Sequence, residues 1–300
     1  MSMPDPLRSF LEQVLAPSPL VLCLGIAFVV IFPFILHFAL SGSTQYVALP
    51  SVLLAGPSGA GKTALLGHLE RRGGHIPTHV TQRPHSVELS VGGGGGGGKK
   101  NNSFRDDLDA LGVEHSKFLL QDTPGHGKLR GAALRRVAAA TQDRVKGIVF
   151  IVDAAMISEP ECLADAAAFL YDVLVMLQKR AGAGKSSRAP DAVPVLIAAN
   201  KMDLFTALPA ALVKSSLEAE LGRIRSTRSR GLLDSGVGTD DVDAGAGKED
   251  GDDWLGQYGS EKFTFAQMRE FDIDVDVMGG NVEGEGPGVD KWWDWIADQL

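Results

Sequence analysis

Gly56-Pro57-Ser58-Gly59-Ala60-Gly61-Lys62-Thr63 satisfies the pattern G-x-x-x-x-G-K-[ST] at every fixed position. Those residue types at that spacing suit the binding of a phosphate chain. The glycines let the backbone curl so that its amides point inward at the start of a helix. The Lys62 ammonium would neutralise the β and γ phosphates. The Thr63 hydroxyl would ligate Mg²⁺, a hard cation that takes oxygen ligands. This pattern does not choose a base, but Asn200-Lys201-Met202-Asp203 does. A carboxylate at Asp203 accepts hydrogen bonds from N1–H and the 2-amino group of guanine. Adenine offers neither donor and would leave the carboxylate unpaired, a mismatch that can reach a discrimination on the order of 10⁴. Lys201 can lay its aliphatic stem along the base, and Asn200 would brace the loop. A third element is Asp122-Thr123-Pro124-Gly125-His126. Asp122 would reach Mg²⁺ through water, and the Gly125 amide would touch the γ phosphate and sense its presence. His126 stands where a side chain can orient the attacking water.

These residues need a scaffold that brings them to one edge, and the chain reads as strands alternating with helices. SVLLA (51–55) is a short apolar strand. The glycine loop follows, then a helix from about Lys62 to Arg72. HSVELSV (85–91) alternates as an edge strand would. KFLLQD, GIVFIVD and VPVLIAAN read as buried strands, each ending in a residue of interest: Asp122, Asp153 and Asn200. Asp153 is expected to be a structural turn residue. Residues 163–179 form an apolar-periodic helix. FDIDVDV (271–277) is expected to be the last strand, and 289–300 a closing helix docked through its tryptophans. The fold class is therefore α/β, a P-loop nucleotide-binding domain with a mostly parallel sheet. Two parts of the site remain open at this level. IPTHVTQRP (76–84) offers Thr78 and Thr81 as the switch threonine over Mg²⁺, with Thr81 favoured because it lies closer to the following strand. DVMGG (276–280) stands where the second base-binding loop belongs, and the expected contact is a backbone amide there, at Val277.

Before this domain comes PLVLCLGIAFVVIFPFILHFAL (19–40), which holds no Asp, Glu, Lys or Arg. A bilayer core of about 30 Å takes roughly 20 helical residues, so the run is expected to be a transmembrane helix. The preceding 1–18 is a short polar head and 41–50 a connector, leaving 51–300 as the nucleotide-binding domain. The formal net charge of −8 argues against nonspecific nucleic-acid binding. With two cysteines, Cys23 and Cys162, a disulfide framework is not expected. Two inserts have loop composition: the glycine run 92–103 and the acidic, glycine-rich 234–253.

Taken together, the N-terminal apolar run, GPSGAGKT, DTPGH, NKMD, RIRSTRSR (223–230), EKFTFAQM (261–268), EFDIDVDVMGG and the tryptophan-bearing end resemble the signal recognition particle receptor β-subunit family. Its members are Ras/Arf-like small GTPases. The resemblance implies GTP and Mg²⁺ as cofactors and the receptor α subunit's N-terminal domain as partner. It further implies a single-pass anchor in the endoplasmic reticulum, with the N-terminus lumenal and the GTPase domain cytosolic, and contact with ribosome or translocon. The implied role is recruitment of the α subunit in the GTP-bound form for co-translational targeting, with slow hydrolysis. A turnover GTPase of the Arf/Sar kind, acting in vesicle-coat recruitment, is the competing expectation. Ser2 is not the glycine that N-myristoylation requires, so anchoring would rest on the helix alone.

Overall fold

The computed structural model describes residues 19–41, 49–71, 77–92, 101–103, 115–138, 145–183, 193–235, 255–256 and 262–300. The polar head 1–18, most of the connector, the centre of the glycine run and nearly all of the acidic insert lie outside them. The chain divides into two units, residues 1–48 and 49–300.

Within the first unit, helix α1 (Pro19–Ser41) runs for 23 residues with Pro33 inside it. Its described side chains, among them Leu20, Phe28, Val29 and Phe34, are largely exposed. Counted over fully described residues alone, no helical stretch is long and apolar enough to cross a membrane. The backbone helix itself nonetheless continues through all 23 residues without an Asp, Glu, Lys or Arg.

The second unit is a seven-stranded sheet in the order β3-β2-β4-β1-β5-β6-β7. The strands are β1 (Ser51–Ala55), β2 (His85–Gly92), β3 (Asn101–Ser103), β4 (His115–Asp122), β5 (Val145–Asp153), β6 (Val195–Asn200) and β7 (Val275–Gly279). From β4 to β7 all pairings are parallel, while β2 runs antiparallel to both β3 and β4. Parallel strands covered on both faces have no use for alternation. Accordingly β1 and β6 are buried at every position. Alternation survives as a division between two cores, because successive side chains point to opposite faces. Leu53, Phe150 and Val152 join one core, whereas Val52, Leu54, Val149 and Ile151 join the other.

Helices α3 (Arg130–Ala138), α4 (Pro160–Ala183) and α5 (Ala210–Ser235) cover the first face. Helices α2 (Lys62–Arg71) and α6 (Asp290–Asp298) cover the second. Trp292, Trp293 and Trp295 of α6 are buried there, as the sequence led us to expect. Trp295 donates its indole N–H to Asp276 and Trp292 donates to the Met278 carbonyl, so α6 is pinned to the edge strand β7 by polar as well as apolar contacts.

The arginine-rich run 223–230 lies on α5. Buried Arg225 stacks on Phe263 and donates to the Leu255 carbonyl at 3.4 Å. Arg228 lies over Tyr171 and pairs with Asp172 at 2.9 Å. Its role within the fold is thus to tie α5 to α4 and to the segment that returns after the acidic insert.

Three expected boundaries move. HSVELSV is not at the edge, since β3 pairs outside it; the end of the supposed loop 92–103 is itself a strand. The last strand starts at Val275, not Phe271, because Phe265–Phe271 forms a 3₁₀ helix with Phe265 and Met268 buried. That helix closes at Asp272 in the left-handed conformation (φ 56°). Consequently Val277 is a mid-strand residue opposite Ile197, packed against the core. The base-side loop begins beyond it.

Candidate nucleotide site

The ends of β1, β4, β5, β6 and β7 converge, the usual place for a ligand in an open parallel sheet. At β1 the chain turns through Gly56, which has φ 134°. A Cβ there would sit 2.1 Å from the Ile151 carbonyl oxygen. Only glycine supports both that dihedral and that approach. The loop then enters α2, whose first residues are Lys62 and Thr63. Lys62 is buried, and its Nζ donates to the carbonyls of Gly56 at 2.9 Å and Pro57 at 2.7 Å. Burial pushes this ammonium down to about 8; the Asp122 carboxylate opposes the shift and the Arg130 guanidinium adds to it. A phosphate would supply the counter-charge that two carbonyls only partly provide.

Thr63, Thr81 and Asp122 meet at one point. The Thr63 and Thr81 hydroxyl oxygens are 2.7 Å apart, and each donates to Asp122 Oδ2 at 2.7 Å. The Asp122 side chain is fully buried, and its other oxygen, Oδ1, has no hydrogen-bond partner. A buried, unsatisfied carboxylate oxygen is costly. An all-oxygen set of two hydroxyls and one carboxylate fits the preference of Mg²⁺. Among the described residues no group of three His, Cys, Asp or Glu side chains forms a metal cage. A cation here would depend on these oxygens and on the phosphates. Next to them a cavity of about 190 Å³ is lined by Ser58, Gly59, Gly61, Lys62, Thr63, Thr78, His79, Val80, Thr81 and Gly125, among others. Thr81 thus joins the oxygen cluster and Thr78 only the cavity wall.

Gly125 lies directly against the glycine loop, while His126 is exposed. His126 Nδ1 accepts from the Lys128 amide at 3.4 Å, capping the short turn Gly127–Leu129.

On the base side Asn200 does the bracing. It is buried, its Nδ2 donates to the Ala60 carbonyl at 2.8 Å, and its Oδ1 accepts from the Val282 amide at 3.2 Å. One side chain therefore joins the phosphate loop to the loop after β7. Lys201 takes a left-handed backbone (φ 65°), uncommon for a residue with a Cβ. Its Nζ pairs with Asp153 Oδ2 at 2.6 Å. Asp153 Oδ1 in turn accepts from the amides of Ala155 and Met156. So Asp153 is the turn residue expected and also a clamp on Lys201. Asp203 is exposed and faces Gly284 (φ 82°), where a Cβ would lie 2.7 Å from Asp203 Oδ2.

The loop carrying Gly284 is organised by Asn281, which is only 3% exposed. Its Nδ2 donates to the carbonyls of Glu283 and Gly284, and its Oδ1 accepts from the Gly288 amide. Gly280 closes the join to β6 by donating to the Ala199 carbonyl at 2.9 Å and accepting from the Met202 amide at 3.2 Å. Of the residues singled out from sequence, Val277 in its strand and the exposed His126 on its own turn stand apart from this constellation. Sequence reasoning missed Asn281 and the Lys201 partnership of Asp153. An asparagine just after two glycines, at the end of the last strand, was the available signal for the first.

This geometry places phosphate grip, oxygen cluster and base-side carboxylate around one edge of the sheet. A sequence model of the signal recognition particle receptor beta subunit family matches residues 48–270. The chain belongs to this family. It is 29% identical over 262 residues to the signal recognition particle receptor subunit beta of Saccharomyces cerevisiae, a match covering 87% of this chain and 88% of the yeast protein. The Homo sapiens subunit is 31% identical over 181 residues, covering 59% of this chain and 57% of that protein. Among solved structures, the signal recognition particle receptor SRb-GTP/SRX complex from Chaetomium thermophilum aligns with a TM-score of 0.66 at 41% identity, covering 84% of this chain and 100% of that one. SRb-GDP-Mg from the same organism aligns at 0.61 and 43% identity, covering 86% and 100%. The fold is thus that of a small GTPase with a mostly parallel sheet, and the chain is a receptor beta-subunit GTPase.

Proposed function

We propose that this chain binds GTP with Mg²⁺ and, in that state, holds the receptor's α subunit at the endoplasmic reticulum membrane for co-translational targeting. The observation that carries the reading is the oxygen cluster. Thr63 from the phosphate loop, Thr81 from the first switch and Asp122 from the second converge to hydrogen-bond distance around Asp122 Oδ2, while the buried Oδ1 of the same carboxylate lacks a partner. A Mg²⁺–triphosphate bridging those three segments would order both switches together, the device by which a γ phosphate becomes a protein-binding surface. Thr63 and Thr81 would be metal ligands, Asp122 a ligand through water, and Gly125 the γ-phosphate sensor. Residues 56–63 would hold the phosphates, and Asn200, Lys201 and Asp203 the guanosine. The match to a GTP complex and to a GDP–Mg complex of Chaetomium SRb supports these two cofactors, and the SRX chain in the first supports a protein partner.

Helix α1 would be the anchor, crossing once with residues 1–18 lumenal and the GTPase domain cytosolic. Its 23 residues correspond to about 35 Å of helix, against a hydrocarbon core of about 30 Å. A spanning helix does not leave the bilayer as a single acyl chain can, so nucleotide state would govern partner choice and not membrane residence. Ribosome or translocon contact belongs to the same reading. Hydrolysis would be slow without help. One His126 ring nitrogen, Nδ1, caps its own turn, and the neighbouring Arg130 is committed to Asp165.

Capture of the α subunit's N-terminal domain by the full-length chain in detergent tests the reading. Retention with GTP and Mg²⁺, and little with GDP or without nucleotide, is expected. Equal retention in all three conditions refutes it.

A further inference from the structure

The Asp122–His126 loop is fastened to helix α4 through a single guanidinium. Arg130 Nε donates to the Gly125 carbonyl at 3.2 Å. Arg130 Nη2 meets Asp165 Oδ2 at 2.5 Å, and Nη1 lies 3.5 Å from the Asp165 carbonyl oxygen. The guanidinium carbon stands 4.8 Å from the centroid of the buried Phe169 ring. The Arg130 side chain is 15% exposed, although Asp165 is 55% exposed.

An ion pair with so open a carboxylate contributes little by charge alone. What distinguishes this one is its shape. One planar group bonds in one direction to the sensing loop and in the other to α4, and the ring beneath fixes its plane. Gly125 has no slack on its other side: a Cβ there would lie 2.5 Å from Lys62 Nζ and 2.6 Å from the Gly56 carbonyl oxygen. The peptide is held between the phosphate loop and Arg130.

We propose that Arg130 is a positioning residue for triphosphate recognition. It fixes the Gly125 peptide in advance through its carbonyl, and through Asp165 and Phe169 it couples that peptide to α4. The inference rests on the GTP reading above. A loop ordered beforehand loses less freedom when the γ phosphate arrives, so the gain falls on GTP and not on GDP, which never meets this loop through a γ phosphate. The same coupling would make the position of α4 responsive to the nucleotide. The Arg130 guanidinium commits its hydrogen bonds to Gly125 and Asp165, so its geometric action on the loop runs through Gly125, beside the charge it sets near Lys62.

The test is the ratio of GTP to GDP affinity in excess Mg²⁺, measured on the full-length chain in detergent for wild type, Arg130→Ala, Arg130→Lys, Asp165→Asn and the Arg130→Ala/Asp165→Asn pair. Arg130→Ala is expected to lower the ratio about tenfold and the milder Asp165→Asn about threefold, in keeping with losing charge-assisted hydrogen bonds. The double variant should be no worse than Arg130→Ala, since both changes act through one group. Arg130→Lys keeps the charge but cannot reach both partners with one plane, and should not restore the ratio. A melting temperature that falls while the ratio holds overturns the proposal, as do additive single effects or full rescue by lysine. Should Arg130→Ala not fold, Asp165→Asn decides by the same ratio. A wild type that binds ATP as well as GTP, or neither, brings down the GTP reading and this proposal with it. A wild type that prefers GTP, with variants that keep its ratio, brings down the coupling alone.

Discussion

At the phosphate end of the site, Lys62 and Asp122 are buried and the oxygens of Thr63, Thr81 and Asp122 stand within 2.7 Å of one another. At the base end, Asp203 is exposed, Lys201 is held by its ion pair with Asp153, and the facing loop comes from the far end of the chain. The first half is framed by backbone turns, helix α2 and two strand ends. The second is assembled by two asparagines, Asn200 reaching back across the chain to Ala60 and Asn281 folding the local loop from Gly280 to Gly288. On the proposed reading, the contrast separates affinity from selectivity. The phosphate half would grip any nucleotide that carries Mg²⁺ and phosphates. The base half would decide which nucleotide, with less burial and more dependence on loop order.

Substitutions should separate along that line. The largest effect belongs to Asp203→Asn. It replaces one carboxylate oxygen with an amide donor, so one of the two guanine donors faces another donor, and is expected to cut the preference for GTP over ATP by on the order of 10³, somewhat under the limit for a fully buried site. Competitive displacement of a fluorescent GDP analogue reads this directly; a preserved preference would move base recognition elsewhere. Asp122→Asn comes next. It should weaken Mg²⁺ by about 10- to 100-fold, the usual loss when an indirect metal partner is removed, and lower GTP affinity without altering the choice of base. Magnesium titration of nucleotide release measures it, and an unchanged Mg²⁺ requirement would separate the oxygen cluster from the metal. The smallest effect is Asn281→Ala. It removes three hydrogen bonds that fold an otherwise exposed loop, for about 1 kcal/mol of stability. Its melting temperature should fall without nucleotide and recover in part with GTP. If GTP and ATP protect this variant equally, Asn281 does not serve the base half.

The same division explains what could be read from the chain. The phosphate motif is contiguous, so the strand, loop and helix that display it follow from local spacing, and Gly56 to Thr63 lie where the pattern puts them. Thr81 could be preferred over Thr78 because its distance to the next strand is a local quantity. The base loop is different. Its position depends on where β7 begins, and that is set by the burial of Phe265 and Met268 in a 3₁₀ helix, which no period in FDIDVDV reveals. Val277 was therefore expected where the strand ends and the base loop begins, when it lies mid-strand. The clamps Asp153–Lys201 and Arg130–Asp165 join residues from separate elements whose approach only the packed sheet and helices establish. Strand β3 escaped notice because three polar residues after a glycine run carry no apolar signature.

The central claim is that one pocket joins a phosphate grip to a guanine-reading carboxylate. Equilibrium competition of GTP, GDP and ATP for the full-length chain in detergent with Mg²⁺ tests it most directly. GTP and GDP should both displace a bound guanine nucleotide, with ATP weaker by on the order of 10³ or more. Displacement by ATP at the same concentration as GTP would contradict the account.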